Sequence, residues 1–304
     1  MSANAQKEAR IFGPPGTGKT TTLAVEIEKA VGVFGESGVL VAAFTKTAAE
    51  ELVTRRLPVP KENVGTLHAI CYRAMGHRPI AEVEVKSWND AHPGLAIGQS
   101  ARDLDEPEYE QNTEAPGDEL YGAYQRVRAL MLPREVWPQR VAQFGQLWEA
   151  WKTEAGVIDF TDMIDLCWKD VATAPGNIAA GFFDEAQDFS RLELALVRKW
   201  GEHMERFVLA GDDDQLLYQF KGATPDAFLL PEIPEEFKVK LKQSYRVPRA
   251  VHAMATKWVA QLTKFEPKEY QPRDFEGEAR IVNGQGGTWK DGEALIKAIA
   301  PFVA

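Results

Sequence analysis

The chain has 304 residues, 44% apolar and 26% charged. That fits about two globular domains and excludes a wholly disordered, collagen-like or coiled-coil chain. A formal net charge of −10 excludes a simple basic nucleic-acid binder working through a global positive field, but not one working through a local patch.

Residues 8–12 (EARIF) read as a short strand running into GPPGTGKT, and TTLAVEIEKAV at 21–31 has helical spacing. Gly35–Gly38 mark a turn. Val39–Phe44 is continuous and apolar, the pattern of a parallel strand covered on both faces. Thr45–Leu57 reads as a helix ending before Pro58, Val64–Leu67 as a third strand, and 68–75 as a helix. Composition then shifts. Residues 76–119 are rich in Pro, Gly and acids, and 101–120 alone hold eight acids and one Arg, a solvated surface loop. Residues 120–155 read as helical, with Phe144, Leu147, Trp148 and Trp151 as a packing stripe on one face.

The alternation resumes near 159 with a helix (FTDMIDLCWKDVA), an apolar run ending at Phe183, a helix at 191–203 and a strand at 206–210. Lys238–Leu241 and Arg280–Asn283 are further strands; Val247–Leu262 and Gly292–Val303 are further helices. Strands alternating with helices imply an α/β fold with a parallel sheet, interrupted by a mostly helical insertion at 76–150. No apolar run approaches the roughly 20 residues of a membrane span, and the N-terminus lacks a signal peptide's apolar core. Cys71 and Cys167 have no CxxC spacing and make no disulfide framework. A cytoplasmic protein that avoids membranes is the expectation.

Three segments carry chemistry. Gly13, Pro14, Pro15, Gly16, Thr17, Gly18, Lys19 and Thr20 complete G-x-x-x-x-G-K-[ST] between a strand and a helix. In such a loop backbone N–H groups cradle phosphates, Lys19 reaches the β and γ phosphates, and Thr20 ligates Mg²⁺. Phe182–Asp188 (FFDEAQD) would deliver Asp184 beside the magnesium at a strand end, with Glu185 placed to polarise an attacking water. In VLAGDDDQLLYQFKGA, Gln215 lies behind another strand end, where it could contact a γ phosphate. Tyr218, Phe220 and Lys221 follow, a combination that suits single-strand stacking. Packing of both aromatics into the core is the alternative.

Together with VLVAAFTKTAAEEL, VGTLHAICYR and QSYR, these segments resemble successive motifs of the UvrD/Rep/PcrA-type superfamily 1 DNA helicases, in order, across roughly residues 8–304. Asp159-Phe160 sits where that family commonly has an Asp-Phe pair. The resemblance implies a RecA-like first motor domain at 1–75 and 151–240, an accessory insertion at 76–150, and the incomplete start of a second RecA-like lobe at 241–304. It implies ATP and Mg²⁺ as cofactors, with Lys19, Glu185, Gln215 and Arg246 as catalytic groups. Thr21 and Tyr245 join the nucleotide site, and Thr20 and Asp184 hold the metal. Thr45, Lys46, Thr66, His68, Tyr218, Phe220 and Lys221 would contact single-stranded DNA or a single-strand/duplex junction, with 3′→5′ movement.

There are departures. The family's upstream adenine-reading Gln has only Gln6 as a counterpart, seven residues before Gly13, and Thr21 and Thr22 stand where relatives often have an Arg. The later motifs of the second lobe are absent. The expectation is therefore an ATP-dependent helicase motor impaired alone. The rival is a nucleotide- and strand-binding module, or half of a split helicase, needing a C-terminal partner. Another repair or replication protein is a further expected associate. An unrelated P-loop ATPase or kinase is the third reading.

Overall fold

The computed structural model describes residues 7–54, 57–98 and 115–279. Six parallel strands form one sheet: β1 (Glu8–Phe12), β2 (Val39–Ala43), β3 (Val64–Thr66), β4 (Ala180–Asp184), β5 (Arg206–Gly211) and β6 (Lys238–Lys240), in the order β3-β2-β4-β5-β1-β6. Successive residues point to opposite faces. Phe12, Leu40, Ala42, Phe183 and Leu209 face one buried core, and Ile11, Val41, Phe182, Val208 and Ala210 the other. That two-sided burial is why the central strands read as unbroken apolar runs.

Helix α1 (Lys19–Phe34) packs Leu23 and Ile27 on the second core. Helices α3 (Leu67–Ala74), α7 (Phe160–Asp170) and α8 (Arg191–Gly201) cover the first. Helix α2 (Lys46–Thr54) follows β2. Register sets the functional edge: Phe12 lies opposite Gly211, and Ala43 opposite Asp184, so the carboxyl ends of β1, β2, β4 and β5 share one rim. Ligands of open α/β sheets bind at that rim.

Between α3 and α7 lie α4 (Lys86–Ala91), α5 (Asp118–Ala129) and α6 (Gln139–Ala155). They enclose a separate core built on Trp88, Tyr124, Phe144 and Trp148. Residues 120–155, which read as helical, form α5 and α6 with a break between them, where Pro133 and Pro138 each precede the next helical turn. Leu147 was expected in the packing stripe, yet it is 44% exposed while Phe144, Trp148 and Trp151 are buried. The stripe is narrower than the apolar spacing suggested.

The neck of this insertion is tied by a bridge between Ile80 and Ile158 and by Asp159. Asp159 is wholly buried and caps α7 in a capping box with Asp162. Its carboxylate accepts from Arg128 Nη1 of α5 at 3.0 Å and from Trp148 Nε1 at 3.0 Å and Lys152 Nζ at 2.6 Å of α6. Burial alone would raise this carboxyl; Arg128 and Lys152 outweigh it and hold it well below the usual range.

Strand β6 is one of the two edges, and Lys238 and Lys240 guard it. Helices α9 (Pro225–Leu229) and α10 (Arg249–Val259) flank it in sequence. After α10 the chain returns to the sheet: Glu266 pairs with Lys238 at 3.1 Å and Lys240 at 2.6 Å. Gln6, most of the acidic segment, the strand expected at 280–283 and the helix expected at 292–303 lie outside the described residues. Among the described residues no helix is long and apolar enough to cross a membrane.

Candidate nucleotide and nucleic-acid site

The loop from Gly13 to Gly18 joins β1 to α1. Gly16 and Gly18 have φ of +74° and +86°, left-handed values that glycine adopts without strain. A side chain at Gly16 would also collide with Arg246, its Cβ only 2.4 Å from that residue's Cβ. Thr17 N donates to Pro14 O at 3.3 Å, closing the turn, and Lys19 Nζ donates to Gly13 O at 2.8 Å. Lys19 thus lies along the inner wall of the loop, at the positive end of α1.

Thr20 Oγ1 donates to Asp184 Oδ2 at 3.2 Å, so the hydroxyl and carboxylate named from sequence meet at the end of β4. Two hard oxygen donors this close fit Mg²⁺, which takes few protein ligands and keeps waters and phosphate oxygens. The carboxyl itself calls for a cation: burial and the neighbouring Glu185 push it up to about 6.

That displacement has a sign for stability. Asp184, and Asp188 pushed to about 6 mainly by burial, hold protons in the fold that the unfolded chain has released above pH about 4. Between about pH 4 and 6 the native state therefore binds more protons, and stability falls as pH rises. In metal-free buffer, Asp184→Asn is expected to melt above the parent at pH 7, with the gap closing towards pH 4.5. Melting curves that stay parallel across that range would discount the buried charge.

Glu185 follows with φ +50°, left-handed for a residue with a side chain. Gln187 Nε2 donates to Glu185 Oε2 at 2.9 Å and to Asp188 Oδ2 at 3.0 Å; its Oε1 accepts from Asp212 N at 3.0 Å. Gln187 therefore wires the end of β4 to the end of β5. Asp212 in turn accepts from Gln215 Nε2. Gln187 was not named from sequence; its place inside DEAQD was the only signal.

On the opposite wall, Tyr245 N donates to Gly16 O at 2.9 Å, and buried Ser244 donates to Pro15 O at 2.9 Å. Tyr245 is 74% exposed. A cleft of about 490 Å³ results, lined by Pro15, Gly16, Gly18, Lys19, Thr20, Thr21, Glu185, Gln215, Tyr245 and Arg246. Its size is that of a small-molecule site. Of the residues expected around a nucleotide and its metal, Gly13, Pro14, Thr17 and Asp184 are not among its lining, and Asp184 adjoins it through Thr20.

The residues expected on nucleic acid divide. Tyr218 meets Phe44 with ring centroids 4.6 Å apart and Phe220 at 5.8 Å. Lys221 Nζ stands 5.7 Å over Phe44 and 5.1 Å over Tyr218. Phe220 is 46% exposed, so it is not core. Phe44 completes this cluster and was read from sequence only as a strand end. Thr45 and Lys46 follow it directly, Thr45 Oγ1 accepting from Ala48 N at 3.2 Å at the start of α2. Thr66 and His68 are turned inward. Thr66 is buried, and its hydroxyl accepts from Ala69 N to cap α3. His68 packs edge-on against Phe160 and lies 3.7 Å from Glu193. Burial keeps its pKa below the usual value.

A family model for the UvrD/REP helicase N-terminal domain matches residues 2–234. The putative ATP-dependent DNA helicase YjcD of Bacillus subtilis is 24% identical over 265 residues, covering 78% of this chain and 34% of that protein. The ATP-dependent DNA helicase UvrD2 of Mycobacterium tuberculosis is 26% identical over 286 residues, covering 82% and 41%. Rep of Escherichia coli, also named an ATP-dependent DNA helicase, is 28% identical over 103 residues, covering 33% and 15%. The first two alignments thus span 34% and 41% of those relatives' own lengths.

Proposed function

The chain belongs to the UvrD/REP helicase N-terminal family, and from that premise we propose that it is the ATP-binding motor portion of a DNA helicase that moves on single-stranded DNA. One observation carries the reading. A single loop presents Gln215 to the nucleotide cleft and, three and five residues on, Tyr218 and Phe220 to the aromatic surface. A change at the γ phosphate therefore has a short covalent route to the bases.

In this reading Lys19 grips the β and γ phosphates and the left-handed loop offers its N–H groups to them. A magnesium ion held by Thr20 Oγ1 and Asp184 Oδ2 would neutralise phosphate charge. Glu185 takes the proton of the attacking water on its carboxylate. Gln215 and Arg246 face the γ phosphate from opposite walls, and Tyr245 offers a ring to the base. Bases stack on Phe220 and Tyr218, Lys221 and Lys46 meet the phosphate backbone, and Thr66 serves by fixing the start of α3 beside His68. Movement is 3′→5′, as in the helicases the sequence resembles.

Single-stranded oligonucleotide binding tests the proposal. Phe220→Ala is expected to weaken oligo-dT binding by about 1–3 kcal/mol, one stacked base, with Mg·ATP affinity unchanged. Fluorescence anisotropy and a fluorescent nucleotide analogue measure the two separately. Equal oligo-dT affinity in Phe220→Ala, or an ATP turnover indifferent to single strands, would overturn it.

A further inference from the structure

Three consecutive aspartates, Asp212–Asp214, directly follow β5, and Asp212 and Asp213 are 0% and 3% exposed. Buried carboxylates in a row repel one another and need a counter-charge. The counter-charge comes from 54 positions away in sequence: Lys268, whose side chain is 2% exposed. Its Nζ lies 3.3 Å from Asp212 Oδ1, 2.5 Å from Asp213 Oδ1 and 3.0 Å from Asp214 Oδ2. One ammonium has three N–H donors, so each aspartate can receive one. The backbone helps, with Glu266 N donating to Asp213 Oδ2 at 2.6 Å.

The arrangement reaches the cleft in two directions. Asp212, held on one oxygen by Lys268, uses the other to accept from Gln215 Nε2. Two residues beyond Lys268, the Tyr270 hydroxyl donates to Pro15 O at 3.1 Å, the same carbonyl that Ser244 reaches. The strap Glu266–Gln271 thus runs from the loop bearing Gln215 to the phosphate loop.

We propose that Lys268 is a positioning residue of the nucleotide site: by bridging Asp212–Asp214 it fixes Asp212 as the acceptor that aims Gln215 at the γ phosphate. This rests on the reading of the cleft as an ATP site. Without the ammonium, the three carboxylates must separate or take up protons, and Asp212 loses the anchor opposite Gln215.

The test is γ-phosphate discrimination, which needs no turnover. Dissociation constants for Mg·ADP and Mg·ATPγS are measured on the parent, Lys268→Met, Gln215→Ala and the Lys268→Met/Gln215→Ala pair. Lys268→Met is expected to lower the preference for ATPγS over ADP by roughly ten-fold or more, the scale of one hydrogen bond to a charged group. ADP affinity stays close to the parent's. The pair loses no more preference than Gln215→Ala alone, since both act through one contact. Lys268→Met/Asp213→Asn, which removes a carboxylate with the ammonium, carries the same expectation should Lys268→Met fail to fold. Retained preference, an equal loss of ADP affinity, or additive losses in the pair would overturn the role of Lys268 while leaving the ATP site standing. A parent that binds neither nucleotide would instead overturn the ATP site itself, and this role with it.

Discussion

Asp159→Asn is expected to destabilise the fold by about 3–5 kcal/mol, the range for breaking a buried ion pair by removing one partner. The carboxylate is wholly buried and receives Arg128 from α5 and Trp148 and Lys152 from α6 while capping α7. An asparagine keeps the shape but loses the charge, and its amide turns one acceptor into a donor facing other donors. Asp162 still pairs with Arg128 and Lys152, but it cannot neutralise both. Because Asp159 is held below the usual carboxylate range, its contribution is whole above pH about 4 and fades only in stronger acid. Urea unfolding of parent and variant at pH 7 and pH 5 should give the same large difference at both. A difference under about 1 kcal/mol, the scale of an exposed pair, would mean the insertion is held chiefly by its apolar core.

That network also marks where sequence reading stops. The placement of the Gly13–Gly18 loop, the DEAQD strand end and Gln215 was legible because each is local: a few contiguous residues, with a strand before them, specify the geometry. The central strands were legible because parallel strands covered on both faces leave unbroken apolar runs. Asp159 was legible only as one of a pair that a family shares. Its partners Arg128 and Lys152 lie on two other helices, and no spacing in the chain announces them. Lys268 is the extreme case. Nothing around it in FEPKEYQ distinguishes it from a surface lysine. The three aspartates were the available signal, since a buried acidic run at a strand end demands a cation from somewhere. Thr66 shows the reverse limit: a motif position that the resemblance assigns to DNA contact is buried and caps α3. Leu147 shows that apolar spacing places a residue near a core without deciding which side of the rim it takes.

Glu185→Gln is expected to lower strand-stimulated ATP hydrolysis by about 10²–10⁴-fold while leaving Mg·ATP affinity nearly unchanged, the span of general-base catalysis. Gln matches Glu in length and can keep the contact with Gln187, which holds Glu185 Oε2 at 2.9 Å. It cannot accept a proton from water. The backbone supports the assignment. Glu185 sits at φ +50°, a conformation that costs a residue with a side chain about 1–2 kcal/mol. The fold tolerates that cost where it turns the side chain off the end of β4 and into the cleft beside Lys19 and Thr20. A neighbour offers the internal comparison. Asp184→Asn removes a carboxylate beside Thr20 and should weaken Mg·ATP binding as well as turnover, whereas Glu185→Gln should separate the two. Phosphate release and nucleotide binding, measured on both variants with saturating oligo-dT, decide the matter. Turnover in Glu185→Gln within about ten-fold of the parent, or an affinity loss matching that of Asp184→Asn, would assign the proton to another group and leave Glu185 as a binding residue.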